Sequence, residues 1–139
     1  MKTKVTAKNA PAASGPFSHA VRANGLIFTS GQIGLTKEGK LLAGTLKDQI
    51  HQIMKNLQAV LKAADVTFAD VVKTTIYVTD MSVYGDINEV YGSYFKDPFP
   101  AREVICVKAL PLGATVEISL VAVDPSDTCC GGDCCDQCK

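Results

Sequence analysis

The stretch Thr45-Leu-Lys-Asp-Gln-Ile-His-Gln-Ile-Met-Lys-Asn-Leu-Gln-Ala-Val-Leu-Lys-Ala-Ala64 decides how this chain folds. Leu46, Ile50, Ile53, Met54, Leu57, Val60, Leu61 and Ala64 recur every three or four residues, which places them on one stripe of a helix. Thr45 followed by Asp48 has the form of a capping box, with aspartate where glutamate is usual. A helix with one apolar face must bury it against something. The following segment, Val71 to Thr79, is rich in Val, Thr, Ile and Tyr and predicts a strand. After it, Val83, Tyr84, Ile87, Val90, Tyr91, Tyr94 and Phe95 form the apolar face of a second helix. Asp80 stands as its N-cap, and Pro98 and Pro100 end it.

Toward the N-terminus, Thr3 to Thr6 reads as a short strand and Asn9 to Gly15 as a loop of small residues. Val21 to Ala23 and Leu26 to Ser30 read as two strands around Asn24-Gly25, a pair that accepts the positive φ angles of a type I′ hairpin. Gly31 and Gly34 interrupt the second strand, and Thr36 to Gly44 is a polar loop. Toward the C-terminus, Ala101 to Ala109 and Thr115 to Val123 read as strands joined as a hairpin through Leu110-Pro111-Leu112-Gly113-Ala114. The order β-β-β-α-β-α-β-β predicts an α+β fold, one mixed sheet with two helices on one face. Ile105 and Val107 then point one way and Val104 and Cys106 the other, so apolar residues occupy both faces. Two helices cover one face only, and a symmetric homo-oligomer is the economical cover for the second.

The chain has 139 residues, room for one domain, and 47% of them are hydrophobic, the composition of an ordinary globular protein. Fourteen basic residues balance fourteen acidic ones, and the only arginines are Arg22 and Arg102. Without a Lys/Arg stripe, nucleic acid is a poor candidate partner. No apolar run has the length of a membrane span and no signal peptide opens the chain, so the expectation is a cytoplasmic protein by default, with an organelle not excluded. Five of the six cysteines, Cys129, Cys130, Cys134, Cys135 and Cys138, crowd the C-terminus, so the domain at 1–124 is expected to fold by its core and not by disulfides.

Phosphate-binding and dinucleotide-binding glycine motifs are absent, and so is a Gly-x-Ser-x-Gly elbow. His19 and His51 lack a neighbouring ligand pattern, so no metal is expected within the domain. His51 lies at the edge of the first helix's stripe, where a structural role fits. Two charged residues on the last two strands remain, Arg102 and Glu117. A guanidinium presents a rigid fork that fits a carboxylate. By residue type alone they form a structural ion pair, or Arg102 is solvated at a sheet edge, or they form a functional pair that awaits an anionic ligand.

Asn9-Ala-Pro-Ala-Ala13 with Gly15-Pro16, Thr29-Ser-Gly-Gln-Ile33, Val72-Lys-Thr-Thr75, Phe99-Pro-Ala-Arg102 and Leu110-Pro111 with Val116-Glu-Ile118 together resemble the RidA family, also called YjgF and L-PSP, the reactive intermediate deaminases. The resemblance spans roughly residues 3 to 123. It implies a chorismate-mutase-like homotrimer with clefts between subunits, and hydrolysis of reactive 2-imino and enamino acids, such as 2-iminobutyrate, to keto acids and ammonia without a cofactor. By the same resemblance Arg102 grips the substrate carboxylate and Glu117 positions the attacking water, while Phe17, Ser30, Gly31 and Asn88 line the cleft. Many members read Gly-Pro-Tyr where this chain has Gly15-Pro16-Phe17, so a hydroxyl donor is missing. Some relatives carry cysteine at the position of Val104. The alternatives are a trimer that binds small keto or amino acids without turnover, and the endoribonuclease or translation inhibitor of the family's older names.

Asp124-Pro-Ser-Asp127 reads as a linker into the cysteine-rich tail at 125–139. Five close thiols suit Zn²⁺ or Cu(I), and Cys135 and Cys138 have the Cys-x-x-Cys spacing. No histidine supports such a site, and a polar tail with reduced thiols, or an added tag, accounts for the same residues.

Overall fold

Thr45 starts the first helix as the sequence predicts. In the computed structural model, which describes residues 1–127, its side chain accepts from the Asp48 amide at 3.2 Å while the Asp48 carboxylate accepts from the Thr45 amide at 3.1 Å. This closes the capping box and satisfies two of the amide groups that every helix start leaves over. The helix, α1 (Leu46–Ala63), buries Ile50, Ile53, Met54, Leu57, Val60 and Leu61, six members of the stripe. Its C-terminal end is held from the sheet: Arg22 donates to the Ala64 carbonyl at 2.7 Å and forms an ion pair with buried Asp124. A cation at a helix C-terminus also opposes the negative end of the helix dipole.

The strands are β1 (Thr3–Val5), β2 (Ala20–Ala23), β3 (Leu26–Thr29), β4 (Val71–Val78), β5 (Ala101–Cys106) and β6 (Val116–Val123). Asn24 and Gly25 have φ of 52° and 74°, the positive values that the type I′ turn between β2 and β3 requires. The second helix, α2 (Tyr84–Gly92), is shorter than the sequence suggests. Asp80 caps a single 3₁₀ turn, Met81–Val83, which leads into α2, and its carboxylate accepts from the Ser82 amide at 2.8 Å. Of the expected apolar face, Tyr84 is exposed and only Ile87, Val90 and Tyr91 within α2 are buried.

The sheet order is β1-β2-β3-β6-β4-β5. This corrects one expectation. β5 and β6 do not form a hairpin; β4 lies between them, parallel to β5 and antiparallel to β6. The cause is visible in burial. β6 alternates strictly, with Val116, Ile118, Leu120 and Ala122 buried, and such a strand belongs in the middle of a sheet. β5 carries Arg102 and Glu103 and leaves most of its residues uncovered, as an edge strand does.

The buried faces of β4 (Val71, Thr74, Ile76, Val78) and β6 join α1 and α2 in one core, so both helices pack on one face. Among the described residues no helix covers the opposite face. Phe28 and Ile105 are each 41% exposed there, and Val72 stands out at an irregularity between Val71 and Lys73. Leu57 has no solvent exposure at the centre of the core. We expect Leu57→Ala to cost about 3 kcal/mol through lost transfer energy and a residual cavity, measured as a lower urea midpoint at unchanged m-value.

Candidate functional site

Pro11 to Phe17 folds back over the end of β3 and forms one wall of a cleft of about 450 Å³. His19 holds this wall in place. Its ring is buried; Nδ1 accepts from the Ala7 amide at 3.1 Å, which leaves the proton on Nε2, and Nε2 donates to the Pro11 carbonyl at 2.8 Å. Ser30 closes the same corner, its amide donating to the His19 carbonyl at 2.9 Å and its hydroxyl to the Ser18 carbonyl at 2.6 Å. Ser30 therefore lines the cleft with its hydroxyl proton already committed. Phe17 is half exposed at the mouth.

Glu117 enters this cleft from the uncovered face of β6, its neighbours Val116 and Ile118 pointing into the core. Gly31 makes its position possible. A Cβ at Gly31 would lie 2.7 Å from Glu117 Oε1 and 3.0 Å from its Cγ, so the carboxyl rests against bare backbone. Among the described residues no donor or cation pairs with it, and burial pushes its pKa above the ordinary 4.5. Leu112 stands at the rim with a φ of 57°, uncommon for a branched residue and concentrated at functional edges in other proteins.

Arg102 is elsewhere. It is in register with buried Thr74 on β4, hence on the helix-covered face, whereas Glu117 is in register with Tyr77 on the other. Three residues along β4 and two strand spacings separate them, roughly 10 Å in each direction, and they point apart. The ion pair between them does not exist. Arg102 Nη2 instead donates to Asn88 Oδ1 at 2.7 Å and to the Tyr84 hydroxyl at 3.2 Å. Its Cζ lies 5.5 Å from the Tyr84 ring centroid and 5.1 Å from that of Tyr91. Tyr91 is fixed by its hydroxyl on Thr74 Oγ1 at 3.0 Å. A guanidinium over aromatic faces is attracted to their π-electrons.

The candidate residues thus fall into two separate groups: Phe17, Ser30, Gly31 and Glu117 in the cleft, and Arg102 with Asn88 at the β5 edge. Tyr84 and Tyr91 belong with the second and were hidden by their place in an apolar stripe. Another cavity, about 410 Å³ around Phe68, Tyr94 and Phe95, contains none of the candidate site residues. His51 has the structural part expected, its Nδ1 2.9 Å from the Tyr94 hydroxyl. Among the described residues no three His, Cys, Asp or Glu side chains gather as metal ligands. The tail cysteines Cys129 to Cys138 lie outside the described residues.

The family described as Endoribonuclease L-PSP matches residues 7–124. The chain belongs to that family. Over 122 residues it is 44% identical to the Reactive Intermediate Deaminase A, chloroplastic, of Arabidopsis thaliana, covering 87% of this chain and 65% of that protein's length. It is also 44% identical over 120 residues to a 2-iminobutanoate/2-iminopropanoate deaminase of Mus musculus, 86% of this chain and 89% of that one. The crystal structure of E. coli TdcF with bound serine superimposes with a TM-score of 0.81 at 32% identity, covering 87% of this chain and 98% of TdcF. Arg102 and Glu117 both lie inside the L-PSP match, as does the departure at Phe17. Among the described residues no helix of this L-PSP member is long and apolar enough to cross a membrane. We expect Gly31→Ala to fold but to turn the flexible Glu117 carboxyl away by about 1 Å or more, the added Cβ being closer than contact allows, as a crystal structure of the variant would record.

Proposed function

We propose that the protein hydrolyses reactive 2-imino acids, such as 2-iminobutanoate and 2-iminopropanoate, to 2-keto acids and ammonia. One observation carries this: among the described residues Arg102 and Glu117 each present an ionic group without an ion-pair partner, one at the β5 edge and one half-buried in a cleft. The deaminase name of the mouse and Arabidopsis relatives supports it, as does the serine bound by TdcF, a small ligand with the same carboxylate handle.

The two half-sites meet between neighbouring subunits of a homotrimer, the Arg102 edge of one against the Glu117 cleft of the next. The exposed apolar residues of the uncovered sheet face, Phe28 and Ile105, favour such assembly. Arg102 takes the substrate carboxylate and so places C2 of the imine in the cleft. Glu117, as carboxylate, accepts a proton from water as its oxygen bonds to C2. Glu117 returns that proton to the carbinolamine nitrogen; the C–N bond then breaks as the C=O bond forms, and the hydroxyl proton passes by way of Glu117 to the departing ammonia. A carboxyl raised by burial is a stronger base than a solvated one, which suits this exchange. Phe17 packs against the substrate without offering a hydroxyl.

Generating 2-iminobutanoate with a threonine dehydratase and trapping the remainder with semicarbazide gives the test, after subtraction of the uncatalysed rate. We expect wild type to accelerate imine loss and Arg102→Ala to lower kcat/KM about 100-fold or more. Glu117→Gln should lose about 100-fold in kcat. Glu117 must be ionised to act, so the wild-type rate should fall as pH drops through its raised pKa, and the residual rate of Glu117→Gln should lose that acid limb. No acceleration by wild type, with 2-keto acid binding retained, would point to binding without turnover.

A further inference from the structure

The sequence leaves the cleft short of a hydroxyl at Phe17, and the structure places one beside the arginine. Arg102 commits Nη2 to two acceptors, Asn88 Oδ1 at 2.7 Å and the Tyr84 hydroxyl at 3.2 Å. A guanidinium has two edges that can grip a carboxylate with two hydrogens, and Nη2 belongs to both, because Cδ blocks the third. A carboxylate held by both prongs must therefore take an Nη2 hydrogen from one of the present acceptors. The Asn88 contact is the shorter. The phenol oxygen, farther away and uncharged, is the acceptor that an anion displaces.

Displacement does not send Tyr84 away. Its backbone opens α2, and its ring stays under the guanidinium, with Cζ 5.5 Å from the centroid. A phenol accepts and donates, and its O–H rotates freely in the ring plane's two orientations. The oxygen that replaces it on Nη2 arrives within hydrogen-bond reach of that hydroxyl. Tyr84 then donates to the carboxylate it has made way for. Tyr84 is 42% exposed, so an incoming ligand reaches it without moving the core.

We propose that Tyr84 is a specificity-determining residue of the carboxylate clamp, switching from acceptor of Arg102 to donor to the substrate carboxylate. This rests on the imino-acid reading of the site. It assigns to α2 a donor that the cleft lacks at Phe17, and it makes discrimination for anionic over neutral carbonyl ligands a property of Tyr84 together with Arg102.

Tyr84→Phe removes the hydroxyl and keeps the ring over Arg102. Two measurements on the full chain test it, with equal melting temperature of the variant as the folding check. The first is the kinetics of 2-iminobutanoate hydrolysis. The second is calorimetric titration with 2-oxobutanoate, the unreactive keto acid, and with its neutral amide, 2-oxobutanamide. We expect Tyr84→Phe to raise KM and weaken 2-oxobutanoate binding about tenfold, with the amide unaffected and kcat within about twofold. Unchanged KM and keto-acid affinity would overturn the role of Tyr84 and leave the Arg102 and Glu117 assignments standing. A fall in kcat at constant KM would also overturn it, since the hydroxyl would then serve the chemical step. Full turnover in Arg102→Ala would remove the clamp itself, and the proposal with it.

Discussion

β4 runs between β5 and β6, and the period of two along these strands determines what each side chain can touch. Thr74, Ile76 and Val78 face the helices; Lys73, Thr75 and Tyr77 face the uncovered side. Through the register, Arg102 inherits the first direction and Glu117 the second. The core, the bare face and the separation of Arg102 from Glu117 all descend from this alternation. Slipping β6 by one residue would bring the two ionic groups to one face, and would also turn Ile118 and Leu120 out of the core. Hydrophobic burial fixes the register and so keeps Arg102 and Glu117 on opposite faces.

Each of the two groups of candidate residues is held in place by its neighbours. His19 uses both ring nitrogens on backbone partners of the cleft wall, and Ser30 uses its hydroxyl in the same way. Gly31 contributes an absence, the missing side chain that lets Glu117 lie against the chain. On the other side, Thr74 fixes Tyr91, and Tyr91, Tyr84 and Asn88 fix Arg102. In contrast, Lys73 spends its charge on Glu103 and Lys47 on Glu89, exposed pairs of small energetic consequence. Among the described residues Glu117 has no ion-pair partner in a partly desolvated place, an arrangement that costs stability.

Much of this was legible in the sequence. The stripe from Leu46 to Leu61, with Thr45 and Asp48 before it, specified α1 down to its cap, because helix periodicity and capping are local. Asn24-Gly25 specified its turn for the same reason. Arg102, Glu117, Phe17, Ser30, Gly31 and Asn88 were singled out by residue type and family resemblance, and the structure gathers them into two groups. Strand pairing was not legible, since adjacency in sequence favours a hairpin between β5 and β6 and only the whole sheet shows which strand must be central. The signal was present in the strict alternation of Val116 to Val123 against the charges of Arg102 and Glu103. Tyr84 was missed because a helical stripe counts a tyrosine as apolar and does not see which of its ends is wet.

Subunit complementation tests the shared site most directly. Arg102→Ala and Glu117→Gln would be unfolded together, refolded as mixed assemblies and assayed on 2-iminobutanoate. If each site takes its arginine from one subunit and its glutamate from the next, random mixing in equal amounts restores about a quarter of wild-type activity from two inactive parents. Activity that remains at the parental level in verified mixed assemblies would contradict the division of the site between subunits.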